Sequence, residues 1–294
     1  MKVIDFNIGV IVKMKNSTKI HAYKARKLAL EGIFNAKSGH PGGSLSIADI
    51  LAVLYFEKMN IDPQNPKMAD RDRLVLSKGH CAPILYGMLA ERGFFSADLC
   101  ATLRRADSIL QGHPDMKGVP GVDMSTGSLG QGISAANGMA LSAKLDGKDF
   151  KVYTILGDGE IEEGQVWEAA MFAAHYKLDN LVAFLDFNGL QIDGNIEDVM
   201  NPNPIDKKFE AFNWNVITID AHDYDQIRSA IDEAHTVKGK PTIIIAKSVK
   251  GKGVSFMEIM RHGTEVHLMK NSTSRLLVNL TKYSVLLKSS EKGM

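Results

Sequence analysis

The sequence predicts an α/β protein, a three-layer, doubly wound and mainly parallel sheet with helices on both faces. Three observations predict it. Short apolar, β-rich runs recur in the second half of the chain: VYTIL (Val152 to Leu156), LVAFLDF (Leu181 to Phe187), VITI (Val216 to Ile219) and TIIIA (Thr242 to Ala246). Helical patterns separate them, over Val166 to His175, Lys207 to Phe212 and Tyr224 to Val237. Strands alternating with helices imply parallel pairing through right-handed crossovers. The runs are also apolar throughout rather than alternating, as strands are when both faces of their sheet are covered.

The remaining elements follow in order. Residues 1–18 read as an N-terminal extension, with Ile8 to Val12 apolar and Met14 an alternative start. They carry no positive leader, long apolar core or small-residue cleavage site, so no signal peptide is expected, and a disordered or edge-packed segment is the default. From Ile20 to about Asn35, Ala25, Leu28, Ala29, Gly32 and Ile33 recur at helical spacing. A break is expected at SGHPGGS (Ser38 to Ser44). A buried helix follows from Ser46 to Tyr55, closed by PQNP (Pro63 to Pro66). Arg73 to Ser77 is a strand candidate ending in Lys78-Gly79-His80, with a helix from Ala82 to about Arg92 behind it.

Bulk properties narrow the function. The chain has 294 residues, 45% hydrophobic and 23% charged, which is ordinary for a soluble globular protein. A net charge of +1 gives no electrostatic reason to expect nucleic acid or an anionic membrane as partner. No stretch reaches the roughly 18 apolar residues of a membrane span. Cys81 and Cys100 lack metal-type or redox-type spacing, so two inert thiols in a reduced cytoplasmic interior are expected.

Ligands of such a sheet bind beyond the carboxyl ends of its strands. The tightest turn there is Gly157-Asp158-Gly159, directly after VYTIL. Its glycines allow close approach of backbone to an anion and relieve limits on φ, while Asp158 between them calls for a bridging cation. The next strand ends in Asp186-Phe187-Asn188-Gly189, so adjacent parallel strands would set Asp158 beside Asn188. One carboxylate, one amide oxygen, a backbone carbonyl and phosphate oxygens make a hard-oxygen Mg²⁺ site. Taken alone, such a turn is more often simply a turn. His40, His80 and His113 each follow a glycine at the edge of an element. Zinc ligation by the three is a rival reading, opposed by their wide separation in sequence. Neutral imidazoles around a polar substrate, exchanging hydrogen bonds and protons near pH 7, is the favoured one.

With these segments in hand, the chain resembles the N-terminal half of transketolases. The segments that carry the resemblance are SGHPGGSLSIADILAVLYF (Ser38 to Phe56), DRLVLSKGH (Asp72 to His80), QGHPDMKGVPGVDMSTGSLGQGIS (Gln111 to Ser134), GDGEIEEGQVWEAAMFAAHYKLDNL (Gly157 to Leu181), NGLQIDG (Asn188 to Gly194) and KGKGVSFME (Lys250 to Glu258). They span roughly Lys19 to Glu258. The resemblance implies the thiamine-diphosphate-binding fold, with Mg²⁺ held by Asp158, Asn188 and the backbone carbonyl of Leu190. It implies that Gly157, Gly159 and Glu160 line the diphosphate with His80 close by, and that Gly127, Ser128 and Leu129 lie beside the rest of the cofactor. His40 and His113 would contact the sugar, and Glu163 would join a carboxylate network across a subunit interface.

The implied reaction moves a two-carbon ketol unit from a ketose phosphate to an aldose phosphate, as in the pentose phosphate pathway, with the cofactor as electron sink. In the family a glutamate from a pyrimidine-binding domain activates the cofactor. The expectation here is therefore a split enzyme whose C-terminal partner subunit carries that domain, assembled two plus two. Related synthases of the same cofactor class, and a non-catalytic remnant of the fold, are the competing readings; the segment from Leu74, with SKGHCAPILY (Ser77 to Tyr86), resembles the transketolase version.

After Glu258 the resemblance fails. The family continues towards Trp-His-Gly and Pro-Asn, whereas this chain reads IMRHGTEVHLMKNSTSRLLVNLTKYSVLLKSSEKGM. Codons permitted by Met260 to Arg275 can spell the expected text in another register, so residues 259–294 are read as an atypical tail that a frame shift would explain. His262, in Arg-His-Gly, is accordingly given no role.

Overall fold

The computed structural model describes residues 4–191 and 194–258. Helix α1 spans Ile4–Ala36, and after a short loop come α2 (Pro41–Ser46) and α3 (Ala48–Val53), which runs on into a wider turn over Leu54–Lys58. Strand β1 (Arg73–Leu76) leads into α4 (Ala82–Arg92), which has a proline in its first turn and stops where Gly93 turns left-handed at φ 99°. Helix α5 (Gln131–Leu145) precedes β2 (Val152–Gly157), α6 (Gly164–His175) and β3 (Leu181–Phe187). A small hairpin, β4 (Leu190–Gln191) and β5 (Gly194–Asn195), leads to α7 (Ile196–Val199) and α8 (Ile205–Ala211). Strand β6 (Asn215–Asp220), α9 (Tyr224–Thr236) and β7 (Thr242–Lys247) complete the described chain. Helix α9 begins where the Asp223 side chain accepts from the amides of Asp225 and Gln226.

The main sheet has the order β1-β2-β3-β7-β6, with every pair parallel. Val75, Leu156, Ala183, Leu185 and Ile243 point to one face and pack with α5, α6 and α8. Tyr153, Ile155, Phe184 and Ile244 point to the other, under α1, α3, α4 and α9. The path runs outward from β1 to β3, reaches β6 at the far edge and returns to β7. A right-handed crossover taken in the reverse direction falls on the opposite face, which accounts for α9 lying away from α6 and α8. The expected three-layer, doubly wound architecture is therefore present.

Four local differences stand out. The expected break at Ser38 to Ser44 is helical from Pro41 onward. Its glycines serve space: a Cβ on Gly42 would lie 2.9 Å from Lys250 Cγ, and one on Gly43 would lie 2.9 Å from Cys81 Sγ. Helix α5 was not expected, because it buries Gly132, Ala136, Asn137, Ala140 and Ala143 rather than a stripe of large apolar residues. The backbone before Lys19, expected as an extension, is the start of α1. The β4–β5 hairpin and α7 are too short to leave a periodic signal.

Candidate functional site

The site is built at the carboxyl ends of β1, β2, β3 and β7. Register places Gly157 opposite Asp186, and Asp186 opposite Ala246, so the loops leaving these strands start at one level. Beneath them lies a buried ion pair: Lys78 Nζ meets Asp186 Oδ2 at 2.5 Å, with the side chains 2% and 0% exposed. Asp186 also accepts from Ser46 Oγ at 2.8 Å, from Asn188 Nδ2 at 3.2 Å and from Ser248 Oγ. Burial opposes the charged form of each partner. The Lys78 ammonium nevertheless holds the Asp186 carboxyl below its usual range, and Asp186 holds Lys78 above its own.

Asp158 stands above this pair, 3% exposed. Its Oδ1 accepts from Gly159 N at 3.0 Å and its Oδ2 from Gly189 N at 2.7 Å. Burial, reinforced by the like charge of Asp186, pushes its carboxyl up to about 6. Among the described residues it makes no side-chain ion pair, and the nearby Lys78 ammonium offsets that rise only in part. Asn188 is oriented by its neighbours: Nδ2 is committed to Asp186, while Oδ1 accepts from Leu190 N at 3.2 Å. The expected trio Asp158, Asn188 and Leu190 is thus brought together, and hard oxygen donors of this kind suit Mg²⁺.

The Gly157-Asp158-Gly159 turn differs from expectation in one respect. Neither glycine needs the left-handed region (Gly159 has φ −70°), and the positive φ falls on Gly189 at 72°. Gly159 instead leaves room for the Gln191 side chain, whose Cγ would sit 3.1 Å from an added Cβ. Glu160 lies buried under the turn and accepts from Ser77 Oγ at 2.5 Å, Gly130 N at 3.0 Å and Gly157 N at 2.9 Å, tying three loops together.

The histidines converge from separate elements. His40 and His80 meet edge to face, with ring centroids 5.1 Å apart. Burial and the Lys78 cation push His80 down to about 4, so it is neutral at physiological pH. His113 is lowered by burial and then by Arg104, and its ring lies against Gly127, where a Cβ would come within 3.2 Å of it. The described residues contain no group of three His, Cys, Asp or Glu side chains able to hold a metal, so the three-histidine zinc reading finds no support. Gly127 and Ser128 line a pocket of about 250 Å³ with Met124, Ser125, Thr126, Gln131 and Gly132, and Leu129 stands at 37% exposure. Glu163, exposed at the start of α6, packs its Cβ over Gly130, within 2.9 Å of where a Cβ would stand there.

Sequence reasoning assigned no role to Lys78, Asp186, Ser46, Ser248 or Lys250. Lys250 packs on α2 beside Gly42, 9% exposed, and burial lowers its ammonium. The signal for Lys78 and Asp186 was present, since each ends an apolar run of the central sheet, but their pairing depends on strand order. His262 and the rest of 259–294 lie outside the described residues.

A model of the transketolase thiamine-diphosphate-binding domain matches residues 17–273, reaching past Glu258, where the sequence motifs end. The chain is 52% identical over 233 residues to the 6-deoxy-6-sulfo-D-fructose transketolase subunit SqwG of a Clostridium species, covering 79% of this chain and 85% of that one. It is 43% identical over 240 residues to an apulose-4-phosphate transketolase subunit of Phocaeicola vulgatus, covering 82% and 85%. Against human transketolase it is 42% identical over 260 residues, 87% of this chain but 41% of the human enzyme. A transketolase crystal structure from Campylobacter jejuni superposes with a TM-score of 0.83 at 33% identity, covering 89% of this chain and 42% of that one.

Proposed function

The chain belongs to the transketolase family, and on that premise we propose that it is the cofactor-anchoring half of a two-chain ketol transferase. The observation that carries this reading is that Asp158 accepts from the amide of Gly189, the residue after Asn188, at the ends of adjacent strands above a buried Lys78–Asp186 pair. Support for two chains comes from relatives that are named as subunits and that the chain matches over 85% of their length.

The residues fit thiamine diphosphate with Mg²⁺. Asp158, Asn188 and the Leu190 carbonyl would hold the metal, and Gly157, Gly159, Glu160 and His80 would surround the diphosphate. Gly127 and Ser128, which line the pocket ahead of α5, and Leu129 would flank the cofactor's rings. When bound, the cofactor supplies an electron sink for breaking a carbon–carbon bond beside a carbonyl. The chain's own work is to orient the donor sugar through His40 and His113 and to move protons at its hydroxyls with their imidazoles. Glu163, exposed at the start of α6, would complete a carboxylate network with the pyrimidine-binding partner, in a two-plus-two assembly.

The proposed donor is a ketose phosphate and the acceptor an aldose phosphate, in the cytoplasm and in pentose phosphate metabolism; among the described residues no helix is long and apolar enough to cross a membrane. The relative at 52% identity favours a second reading, a donor carrying a sulfonate in place of the phosphate. Reconstitution with the C-terminal partner chain, assayed with xylulose 5-phosphate and with 6-deoxy-6-sulfofructose, separates the two. Calorimetry with thiamine diphosphate and Mg²⁺ should give binding that depends on the metal. No heat with or without the partner, and no ketol transfer from either donor, would reduce the chain to a remnant of the fold.

A further inference from the structure

Arg104 stands between the two loops that carry His40 and His113. Its Nη1 donates to Ser38 Oγ at 2.9 Å, two residues before His40. Its guanidinium lies against Gly112, one residue before His113, where a Cβ would come within 3.1 Å of Cζ and Nε and 3.2 Å of Nη2. A side chain at position 112 would displace it. The Arg104 backbone is left-handed at φ 63°, a region that residues with a Cβ enter at a cost, and its N–H donates to Leu110 O at 2.8 Å to close the loop. Its Nε is buried without a hydrogen-bond partner, and among the described residues Ser38 is its one side-chain partner.

A sparsely populated backbone conformation and an unsatisfied buried donor coincide in this one residue. Costs of that kind gather where geometry serves function. The second loop is held from the opposite side by Tyr86 of α4, whose hydroxyl lies 3.0 Å from Gln111 O and 2.8 Å from His113 O. Arg104 therefore closes a clamp: α4 fixes the His113 loop, and the guanidinium, bonded to Ser38 and packed on Gly112, links that loop to the one carrying His40.

We propose that Arg104 is a positioning residue that sets the spacing between the His40 and His113 loops, and through it the fit of the donor sugar. The proposal rests on the reading of both histidines as sugar contacts. The nearby cation also lowers the pKa of His113, second to burial.

The test uses R104Q and R104K in two settings. In the reconstituted two-chain enzyme, R104Q should raise the donor KM by ~10-fold, the scale of one charge-assisted hydrogen bond, with thiamine diphosphate affinity unchanged. R104K, which keeps the charge without the fork, should recover only part of that loss. In the isolated full chain, hydrogen exchange should speed up in R104Q over residues 37–43 and 110–114 and nowhere else. Unchanged exchange with an unchanged donor KM overturns the proposal. So does a general rise in exchange with parallel loss of donor and cofactor affinity, which marks a merely structural role. If the wild-type pair transfers no ketol unit, the functional reading falls, and the exchange measurement still decides whether the clamp exists.

Discussion

His80 illustrates how place in the fold retunes a single side chain. Burial and Lys78 bring it down to about 4, so it stays neutral in the folded chain while its unfolded counterpart titrates near 6.5. Between those values the unfolded state binds more protons than the native state, so stability falls as pH drops through the window from about 6.5 to about 4. In the cofactor-free chain, H80N should flatten that fall, with the gap between variant and wild type widening towards acid by up to about 3 kcal/mol; urea unfolding at a series of pH values measures it. Lys78 and Asp186 make a second residue-scale case. K78M strands a buried carboxylate and should cost about 3–5 kcal/mol, whereas the double variant K78M/D186L should recover much of it. A double-mutant cycle by denaturant unfolding reads the coupling.

Among the elements, α5 shows what packing asks of a helix without large apolar side chains. Its Gly132 sits so close to the end of β1 that a Cβ would meet Ser77 Cα at 2.6 Å, a backbone contact with little room to yield. G132A should therefore destabilise the chain by about 1–3 kcal/mol despite alanine's better helix propensity, and because Ser77 bonds Glu160 it should also weaken cofactor binding. Thermal unfolding with and without thiamine diphosphate tests both. In the central strand β3, Phe184 is fully buried, and F184A should cost about 3–5 kcal/mol with no preferential effect on cofactor affinity. The two variants separate a contact deep in the sheet from one that also sets a loop of the site.

At the scale of the whole molecule, the site faces outward through Leu129 and Glu163, both exposed and both at the Gly130 corner. On the proposed two-chain reading, Glu163 would meet its partners on assembly. Mixed with the C-terminal partner chain, thiamine diphosphate and Mg²⁺, the protein should run as two copies of each chain in native mass spectrometry. E163A should weaken that assembly while leaving the fold of the isolated chain intact by circular dichroism. Failure of the wild-type chains to associate would sink the two-chain reading. Restoring the alternative reading frame after Glu258 provides a further arm, expected to tighten cofactor binding in calorimetry.

By itself the sequence determined the α/β class, the three layers and the level at which the site lies. Those follow from periodicity and from apolar runs, which are local properties that any segment carries with it. It also brought Asp158 and Asn188 together on paper, since two consecutive parallel strands leave them little choice. It read the glycines of α2 as a break and expected those of the Gly157-Asp158-Gly159 turn to relieve limits on φ, because a glycine that makes room for a distant side chain looks the same as one that turns. Only the tertiary structure decided that Lys78 reaches Asp186, that Glu160 ties three loops and that Arg104 spans the His40 and His113 loops. The bonds from Lys78 to Asp186, from Ser77 to Glu160 and from Arg104 to Ser38 join residues far apart in the chain, so none is visible until the strands have taken their order.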